Sequence, residues 1–340
     1  MNGLLLRRLE RYRPLVADEM RTIVGDDPAE LFAWMRYHLG WEDRDGLETR
    51  AVSGKLLRPG ALLLATELVG GSAEAAVPAA AAVELVHNFS LLHDDVEDSS
   101  ERRHGRPTLW TFAGVAQAIN TGDGLFALAR LAMHRLFETG IEERRVVESM
   151  RELDEACMRL VEGQYLDISY ETRISVTRDG YLAMTSGKTA AMFSAPFAIG
   201  ALLGGAPGET VAAFRRFGYH MGLAFQAVDD ILGIWGEPAV TGKPVGDDLR
   251  SRKMTYPVIA AYEASGDAGA SFTLAYADAS DEDIVRLTRL VEESGGREAT
   301  ERFIAQQIEL ALAAMEGAGL DDEALHLCAE FAGVAAGRTR

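Results

Sequence analysis

Two acidic patches at the ends of apolar runs are the residues best suited to chemistry. Asp94, Asp95 and Asp98 form the first patch, and Asp229 and Asp230 form the second. On a helix, Asp94 and Asp98 share a face one turn apart, where like charges destabilise an isolated helix by roughly 0.2–0.5 kcal/mol. Carboxylates clustered on one face suit Mg²⁺, which binds a few of them and completes its shell with water and phosphate oxygens. The first patch alone could be a solvated helix end, but two patches on different helices can hold metals between them across a bundle core.

Basic residues accompany both patches and are suited to a diphosphate. Arg favours bidentate phosphate binding, and Lys acts as a point charge. Each would be an ordinary surface charge by itself, but with the carboxylates they predict a site for a metal-bound diphosphate. The segment from Ser186 to Thr189 is not a P-loop, because no upstream glycine has the required spacing. The basic candidates are Lys55, Arg58, Arg102, Arg103, Arg106, Lys188, Lys243 and Lys253.

Helices must position these residues. Ala, Leu, Glu, Arg and Met are abundant, and apolar residues recur every three or four positions. Val/Ile/Thr alternation bounded by turns is scarce, so the sequence predicts an all-α fold with no sheet. No stretch looks like an interdomain linker, which predicts a single domain over residues 1–340, with 1–20 as an irregular or docked arm. Helices are predicted over residues 79–98, 147–173, 209–232 and 281–316.

Composition narrows the classes of function. The formal charge of −18 argues against nucleic acid and against an anionic membrane as partners. Cys157 and Cys328 lie in no CxxC motif or Cys/His cluster, so neither a disulfide framework nor a structural zinc site is expected. The N-terminus has no signal-peptide hydrophobic region, and no uncharged apolar run reaches the ~20 residues of a membrane helix. We therefore expect a cytoplasmic protein without stable membrane insertion.

From about Lys55 to Pro257, the sequence closely resembles the trans-isoprenyl diphosphate synthases, also called polyprenyl synthetases. This resemblance implies a single helical domain around a deep central cavity, usually assembled as a homodimer. It also implies a Mg²⁺-dependent prenyltransferase of the geranylgeranyl or farnesyl diphosphate synthase type, which condenses an allylic diphosphate with isopentenyl diphosphate. In the family's order and spacing, the matching motifs are GKLLRPG, ELVHNFSLLHDDVED, RRHGRPT, GQYLD, SGKTAAMFSAP, FQAVDDILG and GKPVGDDLRSRKMTYP.

The same resemblance implies a role for each matching residue. More than one Mg²⁺ ion would be held by carboxylates, with Mn²⁺ expected to substitute; the ligands implied are Asp94, Asp95, Asp98, Asp167, Asp229 and Asp230. The allylic diphosphate would contact Arg103, Lys188 and Lys243, with Thr189 and Gln226 nearby. Isopentenyl diphosphate would contact Lys55, Arg58 and His87. Gln164 and Asp167 match the GQxxD element, and Lys253 falls in the family's basic position after the second motif.

Two positions depart from the family pattern. Gly233 stands where the second aspartate-rich motif has its third acid, so one metal contact is expected to be missing. His104 stands where the second Arg of an Arg-Arg pair usually contacts isopentenyl diphosphate, and Arg102 lies one place upstream of that pair. The departure at Gly233 concerns a metal contact, and the departure at His104 concerns the condensing site.

The expected mechanism is electrostatic. Mg²⁺ and fixed cations stabilise the charge that develops on the leaving diphosphate, and a closed apolar cavity protects the allylic cation from water. The double bond of isopentenyl diphosphate then attacks, and a proton is lost to the released diphosphate. Two alternatives remain open at the level of sequence. A class I terpene cyclase would explain the departures at His104 and Gly233, and a non-catalytic subunit would modify a partner synthase.

Product length depends on the helix that carries Asp94. Ser90 and Val86, one and two turns before Asp94, are small, whereas Phe89 lies beside them, about 7–8 Å along the axis. The family often places a bulky residue there to limit chain growth. One aromatic next to a small serine favours a C20 product, geranylgeranyl diphosphate, with C15 farnesyl diphosphate as the second choice. The structural alternative is that Phe89 is ordinary helix-packing core.

Overall fold

The computed structural model describes residues 3–49, 56–171, 173, 175–238, 244–265, 267–277 and 283–337. Helices make up nearly all of the regular structure there, which confirms the all-α prediction. The chain divides into two compact units. Unit 1 consists of Met1–Asp154 and Ala195–Ala212, and unit 2 consists of Glu155–Ser194 and Ala213–Arg340.

The α-helices of the described residues follow one another along the chain in this order. The first ten are α1 (Leu4–Val24), α2 (Glu30–His38), α3 (Leu57–Leu68), α4 (Ala73–Glu97), α5 (Trp110–Ala113), α6 (Val115–His134), α7 (Glu143–Tyr170), α8 (Arg178–Thr185), α9 (Ala191–Gly204) and α10 (Gly208–Trp235). They are followed by α11 (Asp247–Arg250), α12 (Tyr256–Glu263), α13 (Asp267–Ala277), α14 (Ile284–Glu293), α15 (Gly296–Met315) and α16 (Asp322–Ala336). A 3₁₀ turn covers Arg135–Glu138, and a π-helical turn covers Ser186–Ala190.

Helix α4 is the central helix of unit 1. Its alanines from Ala79 to Ala82 have no exposed surface, and α1, α3 and α6 pack around it. A helix that is apolar on all sides is buried, and small side chains allow its neighbours to approach closely. By length and composition α4 could cross a membrane, but 72% of its most apolar 18-residue window is buried inside the protein. Its surroundings are those of a core helix.

Helix α1 is docked on unit 1 through one face. Its buried residues recur at helical spacing and are Leu5, Tyr12, Val16, Met20 and Val24. The Tyr12 hydroxyl donates to Glu67 Oε2 over 2.5 Å, and Arg8 donates to the same oxygen over 2.9 Å. The sequence predicts an irregular or docked arm over residues 1–20. From Leu4 onward this segment is helical and packed against unit 1.

A two-stranded hairpin corrects the prediction of no sheet. Strands β1 (Arg102–Arg103) and β2 (Arg106–Pro107) pair antiparallel across a two-residue turn. The turn residues His104 and Gly105 have φ values of +50° and +76°, as a type I′ turn requires. With two residues per strand, the hairpin is too short to show an alternating apolar pattern.

Unit 2 is built around α10. Leu223, Ala227, Val228 and Ile231 of α10 pack into a buried cluster with residues of α8, α12 and α15. The single helix predicted over 281–316 is instead two helices, α14 and α15, because Gly295 takes a left-handed φ of +80° between them. The other predicted helices are confirmed at α4, α7 and α10, although α4 begins at Ala73, six residues before the predicted start.

A close approach between α7 and the π-helical turn depends on glycine. A Cβ at Gly163 would lie 2.0 Å from the backbone nitrogen of Lys188 and 2.7 Å from the carbonyl carbon of Gly187. These are backbone atoms, so they cannot move aside as a flexible side chain can. The first residue of the Gly-Gln-x-x-Asp element thus has a packing role.

We expect Gly163→Ala to lower the free energy of unfolding by about 1–3 kcal/mol, as overpacking of a tight contact does. The matched control is Gly333→Ala on α16, where a Cβ would meet nothing within 4 Å. That change should be neutral or stabilise by up to about 1 kcal/mol, because alanine favours helix. Urea unfolding of both variants measures the difference. Equal stability of the two variants would contradict the packing role.

Candidate active site

The first acidic group lies at the C-terminal end of α4 in unit 1. Asp94 is partly buried, and Asp98, the C-cap, is exposed. The last turn of α4 contains no basic residue. Because a helix C-terminus carries partial negative charge, carboxylates there are unfavourable, and a bound cation would offset that cost. The electrostatics of this helix end therefore favour a metal ion.

Asp95 differs from its two neighbours because its side chain points into the protein. It is 2% exposed, and its Oδ1 accepts a 2.7 Å hydrogen bond from Arg103 Nε. Burial raises the pKa of Asp95, and the charge of Arg103 opposes that shift. The hairpin fixes Arg103 on β1, so two residues predicted to bind metal and diphosphate form an ion pair with each other.

The hairpin is held in place by aromatic and polar contacts. The Tyr37 hydroxyl donates to the carbonyl oxygen of Pro107 over 2.7 Å, and the Arg106 guanidinium lies 4.1 Å from the Tyr37 ring centroid. His104 lies at the exposed tip, and the Arg102 guanidinium donates to the carbonyl of Gly105. Arg102 therefore folds back onto the turn. Tyr37 was not identified from the sequence, since it lies far along the chain from the hairpin.

Arg58 and His87, which the resemblance assigns to isopentenyl diphosphate, are neighbours. Arg58 Nη1 lies 3.3 Å from His87 Nε2. Burial lowers the pKa of His87 well below its usual value, and the nearby Arg58 lowers it further. His87 is therefore a neutral hydrogen-bonding group at pH 7, and Arg58 supplies the positive charge. Lys55, the third predicted member of this group, lies outside the described residues.

Phe89 sits in a small aromatic cluster. It is 9% exposed, and its ring centroid lies 5.1 Å from that of Phe126 on α6 and 5.6 Å from that of His93. Both contacts are edge-to-face, an arrangement that aromatic pairs favour. Gly122 makes room for the cluster, since a Cβ there would lie 2.4 Å from the His93 ring. Phe126 could not be identified from spacing along α4, because it belongs to another helix.

The second acidic group lies on α10 in unit 2, and its second aspartate is also turned inward. Asp230 is 3% exposed and accepts three hydrogen bonds. Its Oδ2 accepts from the Tyr181 hydroxyl over 2.7 Å and from the Tyr256 backbone N–H over 2.8 Å, and its Oδ1 accepts from Gln226 Nε2 over 2.9 Å. Burial raises the pKa of Asp230 to about 7, although the three donors favour the charged form.

Asp229, which precedes Asp230 on α10, is partly buried. Successive residues on a helix point about 100° apart, so Asp229 presents its carboxylate on a different face of α10 from Asp230. Gln226 is fixed from both sides, because Thr189 Oγ1 donates to its Oε1 over 2.7 Å. Thr189 and Gln226, which were predicted to lie near the allylic diphosphate, are thus hydrogen-bonded to each other. Tyr181, which contacts Asp230, was not identified from the sequence.

Lys188 and Asp167 form an ion pair of 2.5 Å between the π-helical turn and α7. Single π-helical turns often mark functional positions in helical proteins. Gln164, one turn before Asp167 on α7, is partly buried, and Lys253 is exposed after α11. Lys243 lies outside the described residues.

The carboxylates of the two acidic groups are the candidate metal ligands. In the described part of the chain, no three His, Cys, Asp or Glu side chains form a closed metal cage. Mg²⁺ does not require one, since it keeps several waters and is usually bound by one or two carboxylates together with substrate phosphates. Asp94 and Asp98, one turn apart on a negative helix end, fit that mode of binding.

Known proteins resemble this chain in sequence and in fold. A family model described as Polyprenyl synthetase matches residues 47–293. The chain is 44% identical over 314 residues to geranylgeranyl diphosphate synthase of Mycobacterium tuberculosis, which covers 91% of this chain and 88% of that protein. It is 41% identical over 284 residues to (2E,6E)-farnesyl diphosphate synthase of Mycobacterium bovis, which covers 81% of this chain and 78% of that protein. The crystal structure of a polyprenyl synthetase from Streptomyces coelicolor A3(2) matches with a TM-score of 0.90 and 39% identity, over 97% of this chain and 99% of that one. With these motifs and this helical fold, the chain belongs to the polyprenyl synthetase family.

Proposed function

We propose that this protein condenses an allylic diphosphate with isopentenyl diphosphate, head to tail, to give a short-chain trans-prenyl diphosphate and free diphosphate. The observation that carries the proposal is the contact between Arg58 and His87 in a chain that keeps both acidic groups. A terpene cyclase binds one diphosphate and has no use for a second anion site. Purified protein incubated with Mg²⁺, an allylic diphosphate and isopentenyl diphosphate should release a longer prenyl diphosphate, detected by mass spectrometry.

Acidic and basic residues have different roles in the proposed reaction. Asp94, Asp98 and Asp229 would hold Mg²⁺, which when bound stabilises the negative charge that develops on the leaving diphosphate. Lys188 and Arg103 add fixed positive charge toward the same group. More than one ion is expected, and Mn²⁺ should substitute, because its preference for oxygen ligands is similar.

The acceptor half of the reaction depends on Arg58 and His87. Arg58 binds the diphosphate of isopentenyl diphosphate through charge, and neutral His87 adds a hydrogen bond without adding charge. No described residue stands out as a dedicated base, so the proton that leaves after condensation is transferred to the released diphosphate. We place this reaction in the cytoplasm, where both diphosphates are water-soluble substrates.

We expect Asp94→Ala and Asp229→Ala to reduce turnover by about 100-fold or more while the helical circular dichroism is retained. The reason is loss of metal binding rather than of core packing, since both carboxylates are only partly buried. Asp26→Ala, an exposed carboxylate between α1 and α2, is the control and should keep full turnover. Near-normal turnover of both aspartate variants would exclude this metal site.

We further propose that the product is C20 geranylgeranyl diphosphate, with C15 farnesyl diphosphate as the second choice. Phe89 is backed by Phe126, so the chain end would meet two aromatic rings rather than one. A pair of edge-to-face rings is a firmer stop than a single side chain that can change rotamer.

Phe89→Ala should lengthen the products by at least one five-carbon unit, measured by mass spectrometry with farnesyl diphosphate as the allylic substrate. Removing a buried phenylalanine commonly costs about 3–5 kcal/mol, so the fold of the variant must be checked by circular dichroism. Phe126→Ala, at a less buried position, provides an independent measurement. Phe89→Leu keeps most of the volume and is the control. An unchanged product length in both alanine variants would mean that the stop lies elsewhere.

We also propose a homodimer that forms through α7. Four of its exposed apolar residues follow a three–four–three spacing, as a helix seam does, and they are between 41% and 70% exposed. Contiguous exposed apolar surface of this kind is typical of protein–protein contacts. The residues are Met158, Val161, Tyr165 and Ile168.

Val161→Glu should convert the dimer into a monomer in sedimentation velocity, because a charge at the centre of an apolar contact is not solvated there. Val285→Glu makes the same change at a valine that is 83% exposed on α14, and it should leave the dimer intact. If both variants stay dimeric, α7 is not the contact surface.

A further inference from the structure

The turn after α11 has an arginine at a position where glycine is usual. The Lys253 N–H donates to the carbonyl oxygen of Asp248 over 2.9 Å, and the Arg252 N–H donates to that of Leu249 over 3.3 Å. These two bonds form a Schellman motif, whose left-handed residue, here Arg252, is usually glycine. Arg252 has a φ of +58°, which is strained for a residue with a Cβ. Because glycine would suit this backbone better, any advantage of arginine must come from its side chain.

The Arg252 side chain contacts the C-terminal end of α13. Its Nη1 donates to the carbonyl oxygen of Tyr276, and its guanidinium carbon lies 5.1 Å from the centroid of the Tyr276 ring. The end of a helix carries partial negative charge and carbonyl groups without partners inside the helix, and a guanidinium satisfies both. The last turn of α13 has no basic residue of its own. Arg252 therefore joins the turn after α11 to α13 through charge and hydrogen bonding.

Tyr276 is a well-packed partner for this contact. It is 2% exposed, and its ring centroid lies 5.1 Å from that of Phe272 and 5.9 Å from that of Tyr262. Its hydroxyl donates to the carbonyl oxygen of Lys253 over 3.4 Å. One buried tyrosine thus contacts the side chain of Arg252 and the backbone of the residue that follows it.

The segment after Arg252 leads to the second acidic group. The Tyr256 N–H donates to Asp230 Oδ2 over 2.8 Å, so this segment is held on α10 as well as on α13. Lys253 lies between these two attachments, and its side chain is exposed. The backbone from which the lysine extends is therefore fixed within three residues of the contact with Asp230.

We propose that Arg252 is a positioning residue, which fixes the backbone of Lys253 so that the lysine ammonium meets a diphosphate bound with Mg²⁺. The inference rests on the proposed function, because that function supplies the diphosphate. Arg252 acts through Lys253, since its own guanidinium contacts α13. A lysine on a fixed backbone loses less conformational freedom when it binds an anion than one on a mobile segment.

Replacing Arg252 by glycine separates positioning from folding. Arg252→Gly should unfold in urea at a midpoint close to that of wild type, because relief of the left-handed backbone offsets the lost contact with α13. Isothermal titration calorimetry with MgCl₂ and inorganic diphosphate should nevertheless show binding that is weaker by about 3–10-fold. Tyr276→Phe removes only the hydroxyl that donates to Lys253 and should weaken binding in the same direction. Binding within about twofold of wild type in the folded variants would overturn the proposal.

A double variant tests whether Arg252 acts through Lys253. Once Lys253→Ala has removed the ammonium, adding Arg252→Gly should change the affinity by less than about twofold. Additive losses in the double variant would mean that Arg252 acts independently of the lysine, and would overturn the proposal. Arg289→Ala is the control for net charge, because this arginine is exposed on α14 and pairs with Glu293 of the same helix. Its affinity for diphosphate should stay within about twofold of wild type.

The proposed function is judged by its own variant in the same experiment. Wild type should bind diphosphate only with Mg²⁺, and Asp229→Asn should lose that binding. If wild type shows no Mg²⁺-dependent binding, the proposed function and the role of Arg252 both fail. If wild type binds, Asp229→Asn does not, and either Lys253→Ala or Arg252→Gly binds normally, only the role of Arg252 fails.

Discussion

Repulsion among carboxylates gathered on one helix face shapes both acidic groups. Like charges repel, and the C-terminal end of a helix adds negative potential. Each acidic group limits this cost in the same way, by turning its second aspartate inward. Asp95 pairs with Arg103, and Asp230 accepts from Tyr181, Gln226 and a backbone N–H. The more exposed neighbours, Asp94 and Asp229, are then held on rigid backbone by a residue that is itself anchored.

Close packing supports the same arrangement. The Lys188 backbone can approach α7 only because Gly163 has no side chain, and this approach sets the distance over which Lys188 reaches Asp167. Charge and packing are thus coupled within unit 2. A methyl group at position 163 would therefore shift the backbone of Lys188 and its ion pair with Asp167.

The sequence was sufficient for the parts of the fold that depend on local pattern. Helical periodicity located α4, α7 and α10, and motif spacing identified the residues that carry charge. It could not tell which of Asp229 and Asp230 is turned inward, because two adjacent aspartates differ only in the partners that the fold brings to them. Tyr181 lies 49 residues from Asp230 along the chain, so only tertiary structure brings the two together. The break at Gly295 was missed because a single glycine is also tolerated inside a helix.

A motif residue such as Arg103 can have more than one role. The Arg103 Nε–H donates to Asp95, and this is one of the five N–H donors that a guanidinium carries in a planar fork. One edge can therefore stay with Asp95 while others bind a diphosphate oxygen. Lysine at this position could not do both from the same geometry, because its ammonium is a single point charge. The hairpin, although only two residues per strand, fixes the Arg103 guanidinium beside the buried carboxylate of Asp95. Under the proposed function, the diphosphate would therefore meet a cation that is already oriented.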